Sequence, residues 1–140
     1  MSVITYKADE YADSKQLPFR IDVERYTLFY LIPDVRGKRV LDAGCGDGIY
    51  SRKLIDMGAK HVVGVDGAKD FIALAREKNG GYEGSIRYHH QLIQDFKGDK
   101  DRDLVVGSYI LSYPKNIDEA TAYCASIAAC LRPGGTFVGF

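Results

Sequence analysis

Val40-Leu41-Asp42-Ala43-Gly44-Cys45-Gly46-Asp47-Gly48-Ile49 runs from β-branched and apolar residues into three glycines at alternate positions, then into a stretch with helical periodicity. Arg39-Val40-Leu41-Asp42, entered from the Gly37-Lys38 turn, reads as a first strand. Residues 49–57 carry Ile49, Leu54, Ile55 and Met57, and Gly58 supplies the positive-φ residue that commonly ends a helix. Strand, glycine loop and helix in direct succession open a parallel α/β sheet. A Cβ at Gly44 or Gly46 would fill the space above the strand, so the bare backbone there can pass close under a ligand. The loop ends on a helix N-terminus, whose free N–H groups and partial positive charge suit an anionic group such as a carboxylate.

The pattern repeats outward from this loop. His61-Val62-Val63-Gly64-Val65-Asp66 reads as a second strand, and 68–78 as a helix ended by Asn79-Gly80-Gly81. Ile86-Arg87-Tyr88-His89-His90 reads as a third strand. The continuously apolar Leu104-Val105-Val106-Gly107-Ser108-Tyr109-Ile110-Leu111 reads as a fourth, suited to the centre of a parallel sheet. Residues 117–131 are long enough for a helix, Pro133-Gly134-Gly135 is a turn, and Thr136-Phe137-Val138-Gly139-Phe140 begins a fifth strand. The expectation is one α/β domain: a parallel sheet in the order 3-2-1-4-5, with right-handed crossovers and helices on both faces. Such folds bind ligands outside the carboxyl ends of their strands, at the switch point.

Ahead of this domain, residues 22–32 fit an amphipathic helix with Ile21, Tyr26, Phe29, Tyr30 and Leu31 as apolar positions, stopping before Pro33. The chain therefore divides into an N-terminal helical lid segment, 1–36, and a ligand-binding domain, 37–140. Its 140 residues suit one domain, and 46% hydrophobic with 27% charged residues suits a globular core. Nineteen Lys and Arg against nineteen Asp and Glu leave no net field to hold a polyanion, so there is no strong nucleic-acid signal. No apolar run reaches the roughly 18 residues of a spanning helix. Residues 1–10 lack the layout of a secretion signal, and the expected location is cytoplasmic. Cys45, Cys124 and Cys130, without CxxC spacing, indicate neither disulfides nor a metal site, and Cys124 and Cys130 are expected as buried thiols in a helix. Asp9-Glu10 and 97–103 are mixed charge runs, expected as solvated loops.

A dinucleotide-binding loop would read GxGxxG, but its third glycine position is Ile49, and the loop is GxGxG. That departure argues against a nicotinamide cofactor. Asp66 ends the second strand, where a carboxylate can accept hydrogen bonds from both hydroxyls of an adenosine ribose.

Taken together, these residues resemble the class I, Rossmann-like S-adenosylmethionine-dependent methyltransferases. Val40-Leu41-Asp42-Ala43-Gly44-Cys45-Gly46-Asp47-Gly48 looks like their first motif and Val63-Gly64-Val65-Asp66 like their ribose-binding strand end. Asp103-Leu104-Val105-Val106 resembles their fourth strand, and Leu131-Arg132-Pro133-Gly134-Gly135 the turn into their fifth. The resemblance implies that Asp42, Gly44, Cys45, Gly46 and Gly48 lie against the methionine part of S-adenosylmethionine. It implies that Asp66 holds the ribose, that Gly67 and Ala68 edge the adenine, and that the loop 108–114, Ser108 included, sits beside the methyl group. Family members often carry an acidic residue after the third strand that meets the adenine amino group, and here Leu92 stands in its place. Adenine is then expected on main-chain groups of Leu92 and Ile93, on Gln91, or on apolar packing.

Methyl transfer from a sulfonium is an in-line displacement, so the protein mainly aligns the reactants and excludes water. The loop 108–114 lacks the Asn/Asp-Pro-Pro-aromatic signature of methyltransferases acting on exocyclic amines of bases. A small-molecule acceptor is expected, through an O, N or C atom, with S-adenosylhomocysteine as the product. Tyr109, Tyr113 and Tyr11 are the catalytic candidates, and Tyr6, Tyr11, Arg20 and Tyr26 the lid candidates. His89 and His90 point to opposite faces of a strand and cannot readily share a metal. The competing readings are a non-catalytic S-adenosylmethionine-binding or scaffold module, an NAD-dependent oxidoreductase, and an aminopropyl transferase. Similar enzymes continue past the fifth strand with a helix and two more strands. Without them the sheet is expected to be incomplete at that edge, which a homo-oligomer could complete.

Overall fold

The computed structural model of the protein describes residues 7–140. Strands β1 (Arg39–Ala43), β2 (His61–Asp66), β3 (Ile86–His90), β4 (Arg102–Gly107) and β5 (Leu131–Gly139) form one sheet in the order β3-β2-β1-β4-β5. Every pairing is parallel. Val40, Leu41 and Asp42 of β1 pair with Val62, Val63 and Gly64 of β2 on one side and with Leu104, Val105 and Val106 of β4 on the other. With both faces covered, β1 and β2 are buried along nearly their whole length and show no in-out alternation. Strand order reverses between β1 and β4, so their carboxyl ends open the crevice in which such folds bind ligands.

Two apolar layers sandwich the sheet. Leu28, Tyr50, Leu54, Ile72 and Ala75 press on Val40, Val62, Ile86 and Leu104 from one face, and Ile127, Cys130 and Ile93 meet Leu41, Val63 and Val105 on the other. The first layer comes from α2 (Tyr26–Leu31), α3 (Ile49–Asp56) and α4 (Lys69–Glu77), the second from α5 (Ile117–Cys130) and a 3₁₀ turn at Ile93–Asp95.

Several expected boundaries and environments move. The charged run 97–103 is no solvated loop throughout: β4 starts at Arg102, which is buried and lies 3.2 Å from Asp101, while Asp103 accepts the Arg39 N–H and the Arg132 guanidinium. At the other end β4 stops at Gly107, because Tyr109 turns left-handed (φ 62°) into a 3₁₀ turn at Ile110–Ser112. The Pro133-Gly134-Gly135 turn is a bulge inside β5, whose pairing starts at Leu131 with Arg102 and resumes at Thr136 with Leu104. Cys130 is fully buried as expected, but Cys124 lies on the exposed side of α5.

The N-terminal segment departs most. Asp9 and Glu10 belong to α1 (Ala8–Ser14), not to a loop. The following helix begins ahead of residue 22, with a π-helical stretch (Arg20–Arg25) leading into α2. A π-turn widens the helix and rotates later side chains relative to α spacing. Tyr26, Tyr30 and Leu31 consequently face out, and the inward column is Glu24, Leu28 and Ile32. Tyr6 lies outside the described residues.

Leu28 is fully buried in the first apolar layer and fastens this segment to the sheet. Leu28→Ala is expected to lower the free energy of urea unfolding by about 2–5 kcal/mol, the usual range for such a truncation. A loss well below that range would mean that the segment is not packed on the core.

Candidate active site

The glycine loop is tied down before it reaches the cavity. The N–H groups of Gly44 and Cys45 both donate to the Val65 carbonyl, at 2.8 and 3.1 Å, lashing the end of β1 to β2. One turn later the Gly46 N–H donates to Asp66 Oδ2 at 2.9 Å, and the Ala68 N–H to Oδ1 at 2.8 Å. Asp66 thus braces both loops. Gly48 has φ +77°, and a Cβ there would collide with the Tyr88 hydroxyl, so both backbone and space demand glycine. The N-terminus of α3 already has an anion from its own loop: Ile49 N–H lies 3.4 Å from Asp47 Oδ1, and Asp47 pairs with Lys78 at 3.0 Å.

A cavity of about 330 Å³ opens over these loops. Gly44, Gly46, Asp66, Gly67 and Ala68 line it, with Leu92 and Ile93 after β3, Ser108 after β4, and the tyrosines Tyr11 and Tyr113. Of the candidate site and lid residues among those described, Asp42, Cys45, Gly48, Gln91, Tyr109, Arg20 and Tyr26 are not in its walls. Asp42 lies beneath the loop, 1% exposed, accepting the Ser51 hydroxyl at 2.6 Å. Cys45 is buried, and burial together with the Asp42, Asp66 and Asp47 carboxylates pushes its thiol well up. Tyr109 turns its hydroxyl to Glu24. Burial likewise raises Asp66, against the two N–H groups that lower it. His90 Nε2 lies 3.2 Å from the Gly67 carbonyl, while the His89 ring packs against Phe96. Among the described residues no group of His, Cys, Asp and Glu could hold a metal, and no helix is long and apolar enough to cross a membrane.

Phe71 and Tyr123, which no sequence motif marks, also line the cavity, as does Ile110 of the loop after β4. Tyr11 packs edge-on against Phe71, ring centroids 5.1 Å apart, and so roofs the cavity from the lid. The sequence reading passed over a buried polar cluster behind Tyr11. Glu24 Oε1 takes Lys15 Nζ at 2.5 Å and the Tyr50 hydroxyl at 2.6 Å, and Oε2 takes the Tyr109 hydroxyl and Arg20 Nε, both at 3.1 Å. Lys15 Nζ lies 5.3 Å from the centroid of the Tyr11 ring, and the Arg20 guanidinium 5.1 Å from it. Burial lowers Lys15 although Glu24 opposes it. Burial alone would raise Glu24, but Lys15, Tyr50 and Arg20 outweigh it and hold the carboxyl below its usual range. One signal was readable: Glu24, Leu28 and Ile32 are spaced i, i+4, i+8, so an acid shares the inward column of a helix.

A family described as Methyltransferase domain matches residues 40–135, the span from β1 into β5. The chain belongs to the methyltransferase-domain family. A ubiquinone biosynthesis O-methyltransferase from Aromatoleum aromaticum is 34% identical over 101 residues, covering 71% of this chain and 42% of that enzyme. Among solved structures, an S-adenosylmethionine-dependent methyltransferase from Mesorhizobium loti superposes with a TM-score of 0.72 at 29% identity, over 83% of this chain and 51% of that one. DhpI, in a complex with SAM and HEP, gives a TM-score of 0.75 at 25% identity, over 94% of this chain and 59% of DhpI. The parallel sheet and these relatives place the chain with the class I, Rossmann-like S-adenosylmethionine-dependent methyltransferases. It spans less than two thirds of the length of the relatives named here.

Burial raises Asp42 to about 6, against the Ser51 hydroxyl that lowers it. The folded state therefore holds this proton more tightly than the unfolded chain does. Its contribution favours folding in acid and is lost as pH rises from about 4 to about 6, a cost of about 3 kcal/mol at neutral pH. Asp42→Asn is expected to unfold at higher urea than the wild type at pH 7, with the gap closing towards pH 4. A gap that stays constant across that window would show that the carboxyl is not raised.

Proposed function

We propose that this chain is the cofactor-binding part of a methyltransferase that moves a methyl group from S-adenosylmethionine to an O, N or C atom of a small-molecule acceptor, leaving S-adenosylhomocysteine. The observation that carries the reading is Asp66 in the cavity wall, with its carboxylate braced by Gly46 and Ala68. A carboxylate has about four acceptor positions, and two N–H groups leave two for a pair of ribose hydroxyls.

The remaining walls sort by polarity around that point. Gly67, Ala68, Phe71, Leu92 and Ile93 make an apolar slot for the base. A Cβ on Gly67 would fall 2.5 Å from Leu92 Cδ2, so the glycine keeps the slot open. Gln91 is not in the cavity walls and donates its amide to the Asp95 carbonyl at 2.8 Å, so the reading rests on apolar packing and main-chain groups to hold adenine. Ser108 Oγ is buried in the wall with no hydrogen-bond partner among the described residues, a costly state that a ligand hydrogen bond would relieve. Behind Tyr11, Lys15 and Arg20 share the single carboxylate of Glu24, an excess of positive charge suited to the methionine carboxylate.

When bound, S-adenosylmethionine supplies an electrophilic methyl group on a sulfonium. The chain's residues hold the nucleoside at Asp66, roof the cavity with Tyr11 and Phe71, and exclude water, which is most of what an in-line transfer needs. The exposed Tyr113 at the rim is the side chain we assign to meet the acceptor. A net charge of zero supplies no field to hold a polyanion and favours a small acceptor.

Calorimetric titration with S-adenosylmethionine, S-adenosylhomocysteine and NAD is expected to give binding of the first two and none of the third. Asp66→Ala should weaken both by about 1–3 kcal/mol. Unchanged affinity in a folded Asp66→Ala variant would remove the ribose assignment, and NAD binding would remove the cofactor.

A further inference from the structure

Glu24 is only 4% exposed, yet four donors from four parts of the chain converge on it. Lys15 follows α1, Arg20 belongs to the π-helical stretch, Tyr50 to α3 and Tyr109 to the loop after β4. Lys15 and Tyr50 donate to Oε1 and Tyr109 to Oε2, and Arg20 Nε lies 3.1 Å from Oε2 as an ion pair. Buried and committed to these partners, Glu24 acts through them.

What it holds lies on two sides of the cavity. On the lid side, Arg20 also donates to Ser14 Oγ at 3.1 Å and Arg25 to the Lys15 carbonyl at 3.2 Å, so α1 and the roofing Tyr11 move with the cluster. On the wall side, Tyr109 sits between Ser108 and Ile110, which both line the cavity. Its left-handed backbone is costly for a residue with a Cβ and persists only where surrounding contacts impose it. Those contacts are the Glu24 carboxylate, the Phe140 carbonyl 2.6 Å from the Tyr109 N–H, and the Phe140 ring edge-on at 5.0 Å. One carboxylate thus sets both the lid cations and the wall that presents Ser108.

We propose that Glu24 is a positioning residue for cofactor capture, fixing Lys15 and Arg20 of the lid, and the loop at Tyr109, in the arrangement that receives the methionine end of S-adenosylmethionine. The inference rests on the cofactor reading above. Removing the charge leaves Lys15 and Arg20 near one another without a counter-ion, so the lid side loses its geometry, while Asp66 keeps the Gly46 and Ala68 N–H groups that hold it.

The test pairs two probes on the 140-residue chain: S-adenosylhomocysteine, and 5′-methylthioadenosine, which keeps the nucleoside but lacks the amino-acid carboxylate. Glu24→Gln is expected to weaken S-adenosylhomocysteine by about 10- to 100-fold and to leave 5′-methylthioadenosine within about twofold. Tyr109→Phe, which removes one bond and no charge, should give the same selectivity at about three- to tenfold, and it decides the matter if Glu24→Gln does not fold. A parallel fall for both probes would make Glu24 merely structural and overturn the proposal, as would unchanged S-adenosylhomocysteine affinity in the folded variants. A wild-type chain that binds neither probe would instead overturn the cofactor reading, and the role of Glu24 with it.

Discussion

The Asp66 carboxylate bonds the Gly46 N–H at 2.9 Å and the Ala68 N–H at 2.8 Å, which joins the loop after β1 to the loop after β2. These loops leave adjacent parallel strands, and the backbone bonds between them end with Gly44 and Cys45 on the Val65 carbonyl. Beyond that point one side chain joins them, in a position where both of its oxygens are committed in register with the sheet. The Asp66 side of the cavity is therefore formed in advance, and a ligand arriving there need not order the loops it meets. The lid side is built on the opposite plan, from long side chains on a helical segment reaching over a distance in sequence of up to 85 residues between Glu24 and Tyr109.

Buried carboxylates in this one small domain are driven in opposite directions by their surroundings. Asp42 has a single hydroxyl for company, and burial raises it to about 6. Glu24 is just as hidden but has two cations and two phenols, and is held down. Burial fixes the size of the penalty on the charged form, and the partners decide whether it is overcome. Asp42 is thus suited to holding α3 under the loop through Ser51, and Glu24 to organising cations.

This difference also explains what was legible in the sequence. The strands β2 and β3, the glycine loop and the turn at Gly58 are written in local chemistry: β-branched runs, helical spacing, and glycines at positive φ. Asp66 was legible for the same reason, as the acid closing a strand beside that loop. Lys15 and Tyr50 were not, because nothing local marks them until the N-terminal segment packs on the sheet, and Glu24 showed only as an acid at the spacing of Leu28 and Ile32. The fourth strand misled in a related way, since the apolar run through Leu111 continues past the point where Tyr109 reverses the chain. At Arg102 and Cys124 composition pointed the wrong way: strand pairing buried the arginine, and an incompletely covered α5 exposed the thiol.

The electrostatics around the loop bear on which ligand it can take. Asp42, Asp47 and Asp66 all lie close enough to Cys45 to raise its thiol, so the glycine loop is ringed by acids. Asp47 also occupies the N-terminus of α3, the position from which a helix dipole would otherwise attract a phosphate. A pyrophosphate laid here would meet negative charge and a helix end already satisfied. A sulfonium cation would meet a favourable field; on the reading proposed above, its carboxylate lies towards Lys15 and Arg20. The GxGxG spacing and the charge pattern are separate properties of this sequence, and both select against a dinucleotide and for a zwitterionic sulfonium ligand.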